Sequence, residues 1–102
     1  MYGRIARTIA VPGKREALAE ILVNGTHALP GCLSYVVAAD SHDPDALWIT
    51  EIWEDAESHQ AALSLPAIQT TVAQGRPLIA SFSTMAETLL IGGSGLPKSA
   101  ER

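Results

Sequence analysis

The sequence predicts a single α+β domain in which a four-stranded antiparallel sheet carries its helices on one face. The length of 102 residues is typical of one domain. Stretches in which apolar and polar residues alternate, as in strands, are interrupted by stretches with the apolar spacing of a helix. These stretches follow one another in the order β-α-β-β-α-β, and turns rich in Pro, Gly, Asp or Ser separate them.

The first part of the chain supplies a strand, a helix and a second strand. Residues 2–11 alternate between two faces, one of which carries Tyr2, Arg4, Ala6, Thr8 and Ala10. Pro12-Gly13 ends this strand, and an apolar stripe at helical spacing predicts a helix over residues 14–29. Pro30-Gly31 then turns the chain into a strand at residues 32–39, which are rich in β-branched and aromatic side chains.

The third predicted strand covers residues 46–54 and follows a polar loop at residues 40–45. Strand alternation places four side chains on one of its faces, namely Leu47, Ile49, Glu51 and Trp53. Trp48 belongs to the opposite face. We therefore expect at most one of the two tryptophans to contact a given pocket.

Two helices and a final strand complete the predicted domain. Asp55 is the predicted N-cap of a short helix that runs to about Leu63. Ser64 is the predicted cap of the next helix, which Gly75 ends. Residues 79–91 are rich in apolar β-formers and are predicted to form the fourth strand.

This order of elements is that of the ferredoxin-like fold, an antiparallel sheet with helices on one side. The other side of the sheet has no predicted cover within the chain. Two such sheets can pack face to face, which predicts a homodimer with a cavity between each sheet and its helices. We expect the domain to span residues 1–91 and the Gly-rich residues 92–102 to form a flexible tail.

Composition and absent motifs argue against several classes of function. The net charge of −4 disfavours a nucleic-acid-binding surface. Cys32 is the single cysteine, so no intrachain disulfide forms, and the three histidines lack metal-ligand spacing. The sequence contains no Walker, GxGxxG, HExxH or GxSxG motif. Because it also lacks a secretory or membrane-spanning segment, we expect a cytoplasmic protein without a membrane partner.

Glu51 and Trp53 are the first candidates for a functional site, and each has a structural alternative. If the face that they share is covered, burial raises the pKa of Glu51 and makes the carboxylate useful as a base. Alternatively, Glu51 is a structural carboxylate that pairs with an arginine such as Arg7 or Arg76. Trp53 either forms the wall of a pocket for an aromatic ligand, with its indole N–H free to donate, or fills the core.

Three further polar side chains are candidates. His59 lies one turn into a predicted helix, whose N-terminus lowers the pKa of a histidine and favours the neutral form that accepts a proton. Its alternative role is that of a surface residue. Tyr35 can donate its phenol to a substrate oxygen, or it can only pack. Arg76 can anchor an anion or a carboxylate, or it can be solvated or ion-paired.

Together these segments resemble the antibiotic biosynthesis monooxygenase family and its bacterial quinol-monooxygenase branch over residues 2–91. The resemblance is carried by Val11-Pro12-Gly13-Lys14, Pro30-Gly31-Cys32-Leu33-Ser34-Tyr35, Glu51-Ile52-Trp53-Glu54, Ser58-His59 and Ser64-Leu65-Pro66-Ala67. Each motif is short, and their order and spacing together make the resemblance.

The resemblance implies a homodimeric ferredoxin-like α/β barrel. Oxygenase members of the family oxidise phenolic or quinol-like aromatics with O₂ and need no metal or flavin. Removing a proton from an electron-rich phenol gives an anion that can donate an electron to O₂, while the protein supplies a dry pocket, a base and orientation. By this resemblance Glu51, Trp53 and His59 are the expected catalytic residues, and Tyr35 and Arg76 the expected substrate-binding residues.

A haem-degrading branch of the same family uses a histidine ligand on the later helix and an asparagine in the first strand. Those positions hold Val72 and Ala6 here, so the resemblance implies no haem. Two alternatives to an oxygenase stay open, because one fold hosts many functions. One is a dimer that binds a small molecule without turnover. The other is an isomerase of a small oxygenated metabolite that uses Glu51 or His59 as its proton shuttle.

Overall fold

The computed structural model describes residues 1–96. Its elements occur in the order β1 (Tyr2–Ala10), α1 (Arg15–Gly25), β2 (Cys32–Ala39), β3 (Ala46–Trp53), α2 (Ala56–Ala62), α3 (Pro66–Gly75) and β4 (Ile79–Leu89), with a short 3-10 turn at Arg76–Leu78 before β4. This order confirms the predicted α+β, ferredoxin-like fold. The helices α2 and α3 together occupy the place of the second helix in that fold.

The four strands form one antiparallel sheet in the order β2-β3-β1-β4. The pairing of β1 with β3 sets Tyr2 opposite Trp53 and Arg4 opposite Glu51. The pairing of β2 with β3 sets Tyr35 on the other side of Glu51. Because directly paired residues point to the same face of a sheet, Arg4, Glu51 and Tyr35 form a row across it.

The three helices cover the face of the sheet that carries this row. Trp53 is buried there in a cluster with Leu29, Ala62 and Ile68. A second cluster joins Leu18 of α1 to two residues of the sheet, Ala10 and Leu47. The helices therefore pack on one side only, as predicted, and they pack on the side that Glu51 and Trp53 share.

The first helix is shorter than predicted and ends at Gly25 instead of residue 29. The hydroxyl of Thr26 donates to the carbonyl of Leu22 at 2.7 Å and takes an acceptor that a continuing helix would use. Ala28 has φ of +55°, which a right-handed helix cannot contain. The apolar residue Leu29 continues the helical stripe in the sequence. It lies in the turn that follows α1, and its side chain is buried there.

The caps of the later helices match the predictions in one case and differ in the other. Asp55 caps α2 as expected, because its carboxylate accepts the backbone N–H of Ser58 at 2.7 Å. The predicted cap of α3, Ser64, is wrong, since Leu65 occupies the N-cap position and makes no side-chain cap bond. Pro66 at the first helical position stabilises that start instead.

The opposite face of the sheet carries no helix within residues 1–96. Ile5, Ile9 and Ile52 are half-buried on it, and Val36 is exposed. Trp48 lies on this face as predicted, and its indole N–H donates to Asp40 at 2.7 Å. None of the helices in residues 1–96 is long and apolar enough to cross a membrane.

The end of the chain differs slightly from its prediction. The fourth strand ends at Leu89, and residues 92–96 form no helix or strand. The remainder of the predicted tail, residues 97–102, lies outside the described part of the chain. The domain boundary at residue 91 and the flexibility of the tail therefore stay predictions.

Candidate active site

A cavity of about 450 Å³ lies between the covered face of the sheet and the helices. This volume is in the range of small-molecule sites, roughly 300–1,000 Å³. Apolar side chains from both layers make most of its wall. The structure brings all five residues singled out from the sequence to this one cavity, namely Tyr35, Glu51, Trp53, His59 and Arg76.

Glu51 and Trp53 are joined to each other inside the cavity wall. The indole N–H of Trp53 donates to Glu51 Oε1 at 3.0 Å, and both residues are buried. The expectation that this N–H is free to meet a ligand is therefore wrong. Trp53 offers the cavity an aromatic surface, and Glu51 fixes the orientation of that surface.

The cation beside Glu51 is Arg4, whose Nε lies 3.9 Å from Oε2. The sequence suggested Arg7 or Arg76 as the partner, and both suggestions are wrong. Arg7 lies on the other face of the sheet and pairs with Asp43 at 3.0 Å. The direct pairing of β1 with β3 decides the partner, since it sets Arg4 opposite Glu51.

Arg4 connects the polar groups at this end of the cavity. Its Nη1 lies 3.9 Å from a carboxylate oxygen of Glu87, and its Nη2 donates to Thr84 at 3.0 Å. Its Nε is buried and has no hydrogen-bond partner among residues 1–96. Sequence reasoning missed this residue as a site candidate, although alternation had already placed it on the same face as Ala6 and Thr8.

His59 reaches this end of the cavity from α2. Its ring meets Trp53 edge to face, with 5.4 Å between the ring centroids, and lies 5.8 Å from the ring of Tyr2. Within the described chain neither ring nitrogen forms a hydrogen bond. Burial lowers the pKa of His59, and the positive charge of Arg4 lowers it further. The direction of the pKa shift is as expected, but burial and Arg4 are its causes and not the helix N-terminus.

Tyr35 completes the row across the sheet. Burial raises the pKa of its phenol, and the nearby Glu51 carboxylate raises it further. The phenol therefore stays protonated over the physiological range and can act as a hydrogen-bond donor. Arg4, Glu51, His59 and Tyr35 thus gather a cation, a carboxylate, a neutral imidazole and a neutral phenol at one end of an apolar cavity, which we call the reactive end.

The other end of the cavity, which we call the distal end, is formed by Thr8, Phe82 and Arg76. Val72 and Ile79 add apolar side chains to its wall. Thr8 pairs with Phe82 across β1 and β4. Its side chain is 1% exposed, and its hydroxyl has no partner among residues 1–96. Sequence reasoning did not single out Thr8, although its face was predicted.

The residues at this cavity do not assemble a metal site. Within residues 1–96 no group of three or more His, Cys, Asp or Glu side chains could hold a metal ion. Val72, at the position that resembles the ligand of the haem-degrading branch, gives the cavity an aliphatic side chain. Ala6, at the second position of that comparison, is fully buried in the sheet.

The sequence matches that of a known family, the antibiotic biosynthesis monooxygenases, over residues 1–74. The chain belongs to this family. The match includes Glu51, Trp53, His59 and the whole of β1 to α2, so most of the reactive end lies within it.

A solved structure from Chloroflexus aurantiacus, described as a candidate antibiotic biosynthesis monooxygenase, is 55% identical to this chain. The match covers 94% of this chain and 98% of that one, with a TM-score of 0.90. A second protein with that description, from Deinococcus radiodurans, has a TM-score of 0.76 at 22% identity, over 91% of this chain and 95% of its own. At that identity the likeness shows the fold alone. Among curated proteins, none matches the chain significantly.

Proposed function

We propose that this protein is a monooxygenase that oxidises a quinol-like or polyphenolic aromatic with O₂ and uses no cofactor. The observation that carries the proposal is His59: its imidazole has a lowered pKa, both ring nitrogens lack a protein partner in the described chain, and Trp53 supports the ring. Such an imidazole accepts a proton near neutral pH. Membership of the family supports the class of reaction.

In the proposed reaction His59 removes the proton of a substrate hydroxyl. The phenol of Tyr35 then donates to the phenolate, and so does the Nε–H of Arg4, which has no hydrogen-bond partner within residues 1–96. Both donors interact more strongly with the developing negative charge. The phenolate passes one electron to O₂, and the phenoxyl radical and superoxide join at a ring carbon that bears a hydrogen. The protonated His59 returns its proton to the peroxide, which gives a hydroperoxide. Loss of water, formed from the hydrogen of that carbon and the outer OH group, leaves one oxygen atom on the ring as a carbonyl and places the other in water. The apolar wall excludes solvent from these intermediates.

Glu51 has a positioning role in this proposal. It accepts the indole N–H of Trp53 and lies beside Arg4, so it holds the aromatic surface and the guanidinium at the reactive end. The ring of Trp53 in turn packs against the face or the edge of the substrate ring. This contact holds the substrate hydroxyl near His59.

The test is oxygen consumption with a panel of menadiol-type quinols and polyphenols. We expect wild-type protein to accelerate O₂ uptake and the double variant Trp53→Ala, His59→Ala to lose this acceleration. A matched control is His42→Ala, since His42 is exposed in the loop between β2 and β3. If no substrate in the panel shows protein-dependent O₂ uptake, the proposal is wrong.

A second candidate function is binding without turnover. The bond from Trp53 to Glu51 favours it, because the carboxylate of the cavity already accepts a hydrogen bond from the protein. This function predicts that an aromatic ligand binds and is recovered unchanged in air. An isomerase predicts conversion at an equal rate without O₂, so anaerobic assays distinguish it from the oxygenase.

We also propose that the protein is a homodimer and that it is cytoplasmic. The helix-free face of the sheet supports the dimer, because it leaves Val36 exposed beside half-buried isoleucines. Light scattering at micromolar concentration tests the dimer, and a monomer there would contradict it. Cell fractionation tests the location.

A further inference from the structure

We propose that the distal end of the cavity is a second binding subsite, which takes an ionised carboxylate on the far side of the aromatic substrate. Arg76 pairs with this carboxylate, and the hydroxyl of Thr8 donates to an oxygen on the same half of the molecule. The substrate class is therefore an elongated aromatic acid. The inference rests on the proposed function only for which end of the substrate is oxidised. The binding of a carboxylate at the distal end does not depend on that function.

Arg76 lies at the end of the cavity away from Arg4. The 3-10 turn that it begins is fixed to the far end of β1, because the backbone N–H of Val11 donates to the carbonyl of Leu78 at 2.8 Å. Arg4 lies near the other end of β1. The two arginines that line the cavity are therefore at opposite ends of it.

The two arginines at the cavity differ in how far their charge is compensated. Arg4 already has two carboxylates within 4.0 Å, those of Glu51 and Glu87. No carboxylate of the described chain forms an ion pair with Arg76, and its side chain is exposed at the edge of the cavity. A guanidinium without a partner attracts an anion, and its planar fork matches a carboxylate.

Thr8 places a buried hydroxyl at the same end of the cavity as Arg76. Its neighbours in the cavity wall are mostly apolar, and no group within residues 1–96 bonds to it. Buried polar groups nearly always have a hydrogen-bond partner, so an unpaired one that lines a cavity indicates a polar atom on the ligand. A valine would fit the same space without a polar group, so packing alone does not require the hydroxyl.

The spacing sets the length of the ligand. Arg4 and Thr8 lie four residues apart in β1, which corresponds to roughly 13 Å along an extended strand. Two or three fused rings with an acidic substituent span this distance. The reacting hydroxyl then lies at the His59 end while the carboxylate reaches Arg76.

The test uses a ligand that cannot be oxidised, so that it reads binding alone. We would measure calorimetrically the affinity for anthraquinone-2-carboxylate and for its uncharged methyl ester. Wild-type protein should prefer the carboxylate by roughly tenfold, the range of a charge-assisted hydrogen bond. Arg76→Gln should abolish the preference, and Arg76→Lys should keep part of it. Lys14→Gln, which removes an exposed cation outside the cavity, should leave it unchanged.

Thr8→Val provides an independent test of the subsite. It should weaken the binding of both ligands several-fold. The thermal transition of the variant verifies that it stays folded. With an oxidisable pair, a dihydroxynaphthoate and its methyl ester, Arg76→Gln should raise KM for the acid alone and leave kcat nearly unchanged.

The outcomes separate the two proposals. If the carboxylate preference depends on Arg76 but no quinol is oxidised, the subsite stands and the oxygenase proposal fails. If quinols are oxidised but the acid and the ester bind equally, the subsite is wrong. A carboxylate preference that survives in Arg76→Gln also overturns it, because another residue then holds the acid.

Discussion

Replacing Thr8 with valine should stabilise the protein, although Thr8 is among its most buried residues. Its side chain is 1% exposed, and its hydroxyl has no partner within residues 1–96. An unsatisfied buried polar group costs about 1–3 kcal/mol, and valine has the same branched shape without that group. Valine also favours the strand conformation as much as threonine does. The free energy of unfolding should therefore rise by about 1 kcal/mol or more.

The assay is thermal and urea-induced unfolding of the ligand-free protein, followed by circular dichroism. For a domain of this size, 1 kcal/mol corresponds to a rise in Tm of roughly 4–8 °C. Thr71→Val is the matched control, because Thr71 is also buried but its hydroxyl donates to the carbonyl of Ala67 at 2.9 Å. That variant should lose about 0.5–1.5 kcal/mol. A Tm for Thr8→Val at or below the wild-type value would refute the reasoning.

Three further predictions follow from the reactive end and its supporting turn. Glu51→Ala leaves the buried indole N–H of Trp53 without its acceptor and should reduce the free energy of unfolding by about 1–3 kcal/mol in urea titrations. The rate of quinol oxidation should fall at acid pH with a midpoint below 6.5, and Arg4→Gln should move that midpoint upward, because it removes a charge that lowers the pKa of His59. Gly31→Ala should destabilise by more than the roughly 1–2 kcal/mol that an alanine pays for a positive φ, because φ there is +76° and the new Cβ would also approach Ser58 of α2 to 2.6 Å.

Each of these three has an outcome that would contradict it. Glu51→Gln serves as a control for Glu51→Ala, since its amide oxygen can still accept the indole N–H, and equal losses in both variants would argue against that bond. A pH midpoint that Arg4→Gln leaves unchanged would mean that Arg4 does not act on the base. Gly13→Ala provides a comparison for Gly31→Ala: it has φ of +80° but an open surrounding, so a loss as large as that of Gly31→Ala would argue against the close approach.

Alternation within single strands was enough to predict much of this site. It placed Glu51 with Trp53, put Trp48 on the other face, and assigned Thr8 and Arg4 to one side of β1. These assignments depend only on the two-residue period of a strand, which the sequence displays directly.

The partners across strands could not be predicted in the same way. The choice of Arg4 over Arg7 or Arg76 for Glu51 depends on the register between β1 and β3, and register is a tertiary property. The occupied indole N–H of Trp53 could not be predicted for a different reason: whether a side chain two residues away in the same strand reaches it depends on the rotamers of both side chains.

Helix ends were predicted where a side chain caps and missed where the backbone turns. Asp55 was found because an aspartate at an N-cap accepts a backbone N–H. The end of α1 at Gly25 was missed, because Leu29 continues the apolar stripe although it lies in a turn and is buried there. The stripe alone cannot separate these two ways of burying a leucine.

The most direct test of the central claim is the fate of isotopically labelled oxygen. Wild-type protein, treated with a chelator and supplied with ¹⁸O₂ and an accepted quinol, should give a product with one ¹⁸O atom, and His59→Gln should lower the rate by about 10²–10⁴-fold. Incorporation of oxygen from water, an unchanged rate in His59→Gln, or the same product without O₂ would contradict the account of His59 as the base of a cofactor-free monooxygenase.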